Sequence, residues 1–218
     1  LAEYSNGSGK GGGTFKVDLA DKQSPDDGGY CFINSSDERI KRIVAGNKIR
    51  ASDYGMDGKS GDNTIAFKDF LKCKLEKIID VSIFTSGMAR LADDTRLSAS
   101  EGAVIYAISD VNHDPERSQN NQGQTLEVGS NCDIDGVIIN GGGFRNNGFL
   151  VEKKTNVTIK NCRISNGKGQ AILDYMSKDC VYARNSISTS YHGIQLWLSE
   201  NIKINENQIS QVKGGIWS

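Results

Sequence analysis

Four segments in the second half of the chain repeat one pattern of apolar and polar positions: CDIDGVIIN from Cys132, VTIKNCRIS from Val157, CVYARNSIS from Cys180 and IKINENQIS from Ile202. Each alternates apolar and polar residues, bends through two positions, and resumes towards an Ile followed by Asn or Ser. The aligned residues Ile139, Ile164, Ile187 and Ile209 are 25, 23 and 22 positions apart. A second run follows each segment: GFLV (148–151), AILD (171–174), GIQL (193–196) and GIW (215–217). Its Phe149, Ile172, Ile194 and Ile216 step by 23, 22 and 22. Runs this short, alternating, rich in β-branched residues and separated by Gly, Asn and Ser are strands. None can bury its apolar side alone, so the copies must stack.

Two stacked architectures compete for this period. Ile159, Cys162 and Ile164 fit a leucine-rich repeat, but the middle position becomes Asn185 and Asn207 in the next two copies, and no helical half follows. Asn tolerates bent backbone and can bond its own copy one turn away. The pattern therefore predicts a parallel β-helix with an Asn ladder at a strand bend.

The stretch YGMDGKSGDNTIAFKDFL (54–71) breaks the pattern. Its Gly58-Lys59-Ser60 suggests a phosphate loop, but such a loop needs a Gly five residues before Gly58, and that position is Asp53, which repels phosphate. The preceding RIVAGNKIRASD is no apolar strand, and the Gly7, Gly9, Gly12 spacing has no strand ahead of it either. The nucleotide reading fails. Asp62 suits an N-cap, and Ala66/Phe70 and Phe67/Leu71 are i,i+4 apolar pairs, so a helix follows the turn.

Composition narrows the class. Twenty-five Gly against 2 Pro fit many tight turns, and 26 basic against 27 acidic residues give no electrostatic draw for nucleic acid or a membrane surface. No apolar run is long enough to span a bilayer. The start, LAEYSNGSGKGGG, lacks the charged-then-apolar build of a signal peptide. The 5 Cys (31, 73, 132, 162 and 180) form no C-x-x-C pair and have apolar neighbours, which predicts buried thiols made in a reducing compartment. His113 and His192 lack ligand spacing, so no metal is expected, and no cofactor.

Residues 53–72, DYGMDGKSGDNTIAFKDFLK, resemble the tyrosine-glycine-alanine-lysine-glycine-aspartate-glycine motif of pectate-lyase-like β-helix proteins. There an Asp-Asp-Thr opens a helix that plugs the N-terminal end of the β-helix; the counterpart here is Asp62-Asn63-Thr64. Residues 82–109 resemble the first coil, with Thr85-Ser86-Gly87-Met88 where the family carries Pro-Ala-Gly-Thr-Tyr. GGGTFKVD (11–18), SPDDGGYCFI (24–33) and ERIKRIV (38–44) resemble, in order, the small β-domain ahead of the β-helix in podovirus-type phage tailspikes, with Ile40 replacing a Trp.

The resemblance implies an all-β chain: a right-handed single-stranded parallel β-helix with an N-terminal capping helix, preceded by a small β-domain. The expected divisions are 1–50 for the small domain, 51–75 for the motif and helix, and 76–218 for the β-helix. It further implies a homotrimer on the virion, synthesised in the bacterial host cytoplasm. Such a spike binds and depolymerises a bacterial surface polysaccharide, capsule or lipopolysaccharide, and meets other tail or baseplate proteins through its N-terminal region. Ile216-Trp217-Ser218 fall in mid-repeat, so an N-terminal portion of a longer protein is expected, with part of the chemistry beyond it. The alternatives are a non-catalytic adsorption spike and a bacterial polysaccharide lyase or epimerase of the same fold.

Alternation sorts the candidate site residues. With Phe149, Ile172 and Ile194 inward, Glu152, Tyr175 and Trp197 point outward in one column, coils being about 4.8 Å apart. Two adjacent aromatic faces suit sugar rings; a trimer contact or a covering loop is the alternative use. Arg145, Lys168, His192 and Lys213 stand at similar offsets before that strand, as a basic column suited to an acidic glycan or as solvated turns. Hydrolysis requires two carboxyl groups. Asp174 falls inward beside Val151 and Leu196, where burial would push its pKa towards that of a general acid, unless the strand ends there and it turns to water. Asp110, Asp114 and Glu116 sit in a polar loop, 109–124, of the kind that can wall a groove. A lyase would instead cast Tyr175, His192 and Lys168 as base and charge neutralisers.

Overall fold

The computed structural model describes residues 11–59, 61–109, 123–144 and 146–218. Three parallel sheets run along a solenoid. Sheet 1 contains Lys48–Arg50, Glu76–Ile79, Arg96–Ala99, Asp133–Asp135, Thr158–Lys160, Val181–Ala183 and Lys203–Asn205. Sheet 2 contains Ile83–Thr85, Val104–Ala107, Ile138–Asn140, Arg163–Ser165, Ser186–Ser188 and Gln208–Ser210. Sheet 3 contains Ala89–Arg90, Gly123–Glu127, Asn146–Glu152, Gln170–Tyr175, His192–Trp197 and Gly214–Trp217. The repeat read from the sequence is thus one coil, and the parallel β-helix is confirmed.

Each segment that alternation treats as one strand is broken in two. The break falls at Gly136, Asn161, Arg184 and Glu206, all left-handed with φ between 53° and 70°. The next residue then turns inward, as Val137, Cys162, Asn185 and Asn207. The Asn ladder forms here. Asn185 Nδ2 donates to the Ile159 carbonyl (3.0 Å) and to Asn207 Oδ1 (2.9 Å), while Asn185 Oδ1 accepts from the Cys162 N–H (2.9 Å). A second, exposed ladder of left-handed residues, Asp94, Asn131, Asn156, Asp179 and Asn201, turns the corner from sheet 3 to sheet 1. Short polar side chains reach αL at low cost and bond between coils.

The interior consists of in-register columns. Leu97, Ile134, Ile159, Tyr182 and Ile204 line sheet 1, and Ile105, Ile139, Ile164, Ile187 and Ile209 line sheet 2. Each fully buried aliphatic side chain contributes about 1.5–3 kcal/mol. All five Cys are buried and unpaired, and burial pushes the Cys162 thiol up to about 12.

The helix Thr64–Lys72 buries Phe67, Phe70 and Leu71 in the same core and closes its N-terminal end. Asp62 stands one residue outside the N-cap, Asn63, yet its carboxylate accepts from the Thr64 N–H (2.9 Å) and from the Thr64 and Ser86 hydroxyls. Partial burial works against its charge, but these bonds hold the carboxyl at about 2.

Ahead of the solenoid, Phe15–Asp18 and Cys31–Ile33 flank Arg39–Arg42 in an antiparallel sheet. Arg42 joins this sheet to the lead-in motif. Its buried guanidinium donates to the carbonyls of Gly11, Gly12, Gly29 and Asp53 and pairs with the Asp53 carboxylate at 3.1 Å. Tyr54 reaches the other way, donating to Asp27 Oδ2 at 3.2 Å. Its ring fills the space that a Cβ at Gly29 would occupy. The division at residue 50 needs one adjustment: Lys48–Arg50 pairs with Glu76–Ile79 and is already a strand of the solenoid.

Candidate functional site

Sheet 3 carries the outward chemistry, and its alternation contains one irregularity. A Cβ at Gly148 would lie 2.8 Å from Ile164 Cγ2, and one at Gly193 2.8 Å from Ile209 Cγ2, so both positions point inward. The next residues, Phe149 and Ile194, point inward as well. Regular alternation resumes after them, leaving His192, Gln195 and Trp197 on the outside of one strand.

Glu152, Tyr175 and Trp197 stand in register as alternation predicts. The Tyr175 and Trp197 rings meet edge to face, centroids 5.7 Å apart at 86°, and Trp197 is 42% exposed. A second aromatic group lies beside them. His192 stacks on Trp217 (5.7 Å, 25°) and meets Tyr191 edge to face at 4.5 Å, with Lys213 Nζ 5.1 Å from the centre of the Tyr191 ring. A cleft of about 690 Å3 opens there, lined by Lys168, Ser190, Tyr191, Gln211 and Lys213. Two buried polar atoms on this side, His192 Nδ1 and Gln195 Oε1, have no hydrogen-bond partner among the described residues.

The expected basic column does not stack. His192 pairs with Gln170 and Gly214, whereas Lys168 lies two residues before Gln170 and Lys213 one before Gly214. Lys168 and Lys213 meet at the cleft, and His192 belongs to the strand. Arg145 lies outside the described residues, as do Asp110, Asp114 and Glu116.

Asp174 points inward between Val151 and Leu196 and is 0% exposed. Tyr182 Oη donates to its Oδ2 at 2.6 Å, and Ser199 Oγ donates to its Oδ1 at 2.8 Å. Burial, with this carboxylate beside it, pushes the Tyr182 phenol well above its usual value and keeps it a donor. A carboxylate enclosed in this way ties sheets 1 and 3 together; it has no contact with the outer surface.

Sequence reasoning missed Glu127. It occupies the outward row Arg90, Glu127, Leu150, Leu173, Gln195, Trp217, is 2% exposed, and accepts from Arg90 Nε at 2.7 Å. The signal was available: Leu126 precedes Phe149 by 23 residues, the same step as from Phe149 to Ile172, so GQTLEVG could be read as one more second strand. Among the described residues no group of three His, Cys, Asp or Glu is placed to hold a metal ion.

Comparison with known proteins matches residues 101–218 to the family described as right-handed β-helix region, and residues 1–45 to the phage tail protein small four-stranded β-sheet domain. A Mu-like prophage FluMu defective tail fibre protein from Haemophilus influenzae is 39% identical over 69 residues, 31% of this chain and 11% of that protein. Tailspike gp49 of the Acinetobacter baumannii bacteriophage Fri1, a capsular polysaccharide depolymerase, superposes with a TM-score of 0.58 at 10% identity; the match covers 100% of this chain and 58% of that one. An inferred glycosyl hydrolase from Parabacteroides merdae gives 0.56 at 14% identity, covering 74% of this chain and 95% of the other. At these identities the structural matches speak for the fold.

Proposed function

This chain belongs to the right-handed β-helix family, and on that premise we propose that it is part of a phage tailspike that binds and depolymerises a bacterial surface polysaccharide. The observation that carries the reading is the outside of sheet 3. Tyr175 and Trp197 offer apolar ring faces there, Trp197 being 42% exposed, and the cleft of Lys168, Tyr191 and Lys213 opens on the same side. The tail-type β-domain ahead of the solenoid supports attachment to the virion through the N-terminal region, and a homotrimer is the assembly proposed for it.

The reaction proposed for this face is hydrolysis, with Glu152 as the outward carboxylate in line with the aromatic pair. Glu127 and Glu152 lie one coil and two residues apart along the strand, which places their Cα atoms about 8 Å from each other. Glu127, 2% exposed and paired with Arg90 at 2.7 Å, braces its row, so Glu152 is the carboxylate proposed to meet the sugar. Asp174, enclosed inside, is assigned a structural role.

The test is digestion of purified host capsule or lipopolysaccharide, following oligosaccharide release together with the ultraviolet absorbance of an unsaturated product. Release without that absorbance, lost in Glu152→Gln, is the expected result. Release with it would make the protein a lyase. Intact glycan with undiminished binding to cells would make it an adsorption spike.

A further inference from the structure

A second cleft, of about 490 Å3, opens at the opposite end of the same side, where the helix Thr64–Lys72 leans on Ala89–Arg90. Lys68 and Lys72 reach it from the helix, Arg90 and Asp93 from the first coil, and Lys154 from two coils further on. Four cationic groups thus share one small space with a single lining carboxylate. That carboxylate is already engaged, since Asp93 Oδ1 accepts from the Ser130 N–H at 2.7 Å. Lys72 is held by Asp69 (3.0 Å) and Arg90 by Glu127 (2.7 Å), but Lys68 and Lys154 have no ion pair among the described residues. Like charges held together in this way repel, and an anion relieves them.

The position of this cleft ties it to the aromatic pair. Parallel register carries the outward row Trp217, Gln195, Leu173, Leu150 and Glu127 back to Arg90, which lines the cleft, and Trp197, Tyr175 and Glu152 form the row two residues further along the same strands. Cleft and aromatic rings therefore stand on adjoining outward rows of sheet 3. Arg90 and Tyr175 are three coils apart, about 14 Å along the solenoid axis.

We propose that the cleft of Lys68, Lys72, Arg90 and Lys154 is an anion subsite that takes the carboxylate of a uronic-acid-type sugar, and hence that the glycan bound along these rows is acidic. The inference rests on the reading that a glycan lies along sheet 3, and it adds the charge of that glycan and its direction. The chain runs parallel to the solenoid axis, with a sugar ring on Tyr175 and Trp197 and a carboxylate among the lysines. Glu152, midway, faces an uncharged sugar, because two carboxylates would repel there.

The experiment displays purified bacterial capsular polysaccharides, some uronate-bearing and some neutral, on an array and probes it with the 218-residue protein. Each retained glycan is then compared with its carboxyl-reduced form, which keeps the ring and loses the charge. Dissociation constants come from intrinsic fluorescence; the chain has only 2 Trp, and Trp197 and Trp217 both lie on this side. Retention of uronate-bearing glycans is expected, with a loss of about tenfold on carboxyl reduction and a similar loss in Lys68→Gln/Lys154→Gln, the scale of two partly exposed charge contacts. Lys68→Arg/Lys154→Arg should restore binding. Retention of neutral glycans, or equal affinity of the Gln variant for acidic and reduced forms, would overturn the subsite and leave glycan binding standing. If no glycan is retained, both proposals fall.

Discussion

Lys77 occupies an inward position of sheet 1, between Ile49 and Leu97 in the adjacent strands, and is 1% exposed. Its Nζ donates to the Leu75 carbonyl at 3.0 Å. Burial, against a smaller opposing effect of Cys73 and Cys132, lowers its pKa from 10.5 to about 8. In the unfolded chain the amine keeps its ordinary value, so between pH 8 and 10.5 the unfolded state binds more protons and stability rises with pH. Below pH 8 both states are protonated and the fold bears the whole cost of a buried charge. At about 1.4 kcal/mol per pH unit, that cost is about 3 kcal/mol. Lys77→Met removes it but leaves the Leu75 carbonyl without its donor, at about 1–2 kcal/mol. The variant should therefore be more stable than the parent by about 1–2 kcal/mol at pH 7. It should be less stable than the parent by about the same amount near pH 10.5, where the parent amine is neutral and still bonded. Urea unfolding of both proteins from pH 7 to 10.5 measures the difference, in which all other titrating groups cancel. A difference that stays constant over this range would refute the reasoning, as would a variant already destabilised by 3 kcal/mol at pH 7.

Two further substitutions test what holds the fold. Asn185→Ala strips partners from the Cys162 N–H and the Ile159 carbonyl at once, and should cost about 2–4 kcal/mol in urea unfolding; a loss below 1 kcal/mol would mean the ladder is ornamental. Arg42→Lys keeps the charge but cannot reach the carbonyls of Gly11, Gly29 and Asp53 together. Limited proteolysis should then cut between residues 43 and 50 faster than in the parent, and an unchanged rate would show that Arg42 is not the tie.

The repeat was legible because every coil spends an Ile on the same interior position: Ile139, Ile164, Ile187 and Ile209 form the sheet 2 column the spacing implies. The bend between sheets 1 and 2 was legible only where Asn185 and Asn207 bond across it. Its left-handed residues, Gly136, Asn161, Arg184 and Glu206, share no chemistry, since the geometry is imposed by stacking. The basic column failed because counting offsets assumes equal turns, whereas the run from sheet 2 to sheet 3 is one residue shorter from Ser188 to His192 than from Ser165 to Gln170. Glu127 was hidden by the insertion before it, which separates it from Arg90 by 37 residues although the two are neighbours in space. The cleft of Lys68 and Lys154 joins a helix to a coil two turns away, and no local pattern encodes that meeting.

The central claim is that sugar rings rest on Tyr175 and Trp197. The most direct measurement is the affinity of an oligosaccharide prepared from host capsule for the parent and for Trp197→Ala, by calorimetry, with the oligomeric state of both recorded by light scattering. Truncating an aromatic anchor at the centre of a contact costs upwards of 1 kcal/mol, so affinity should fall about tenfold with the assembly unchanged. Equal affinity in the two proteins, or an altered oligomer with sugar binding intact, would contradict the account and make the aromatic pair a contact between protein chains.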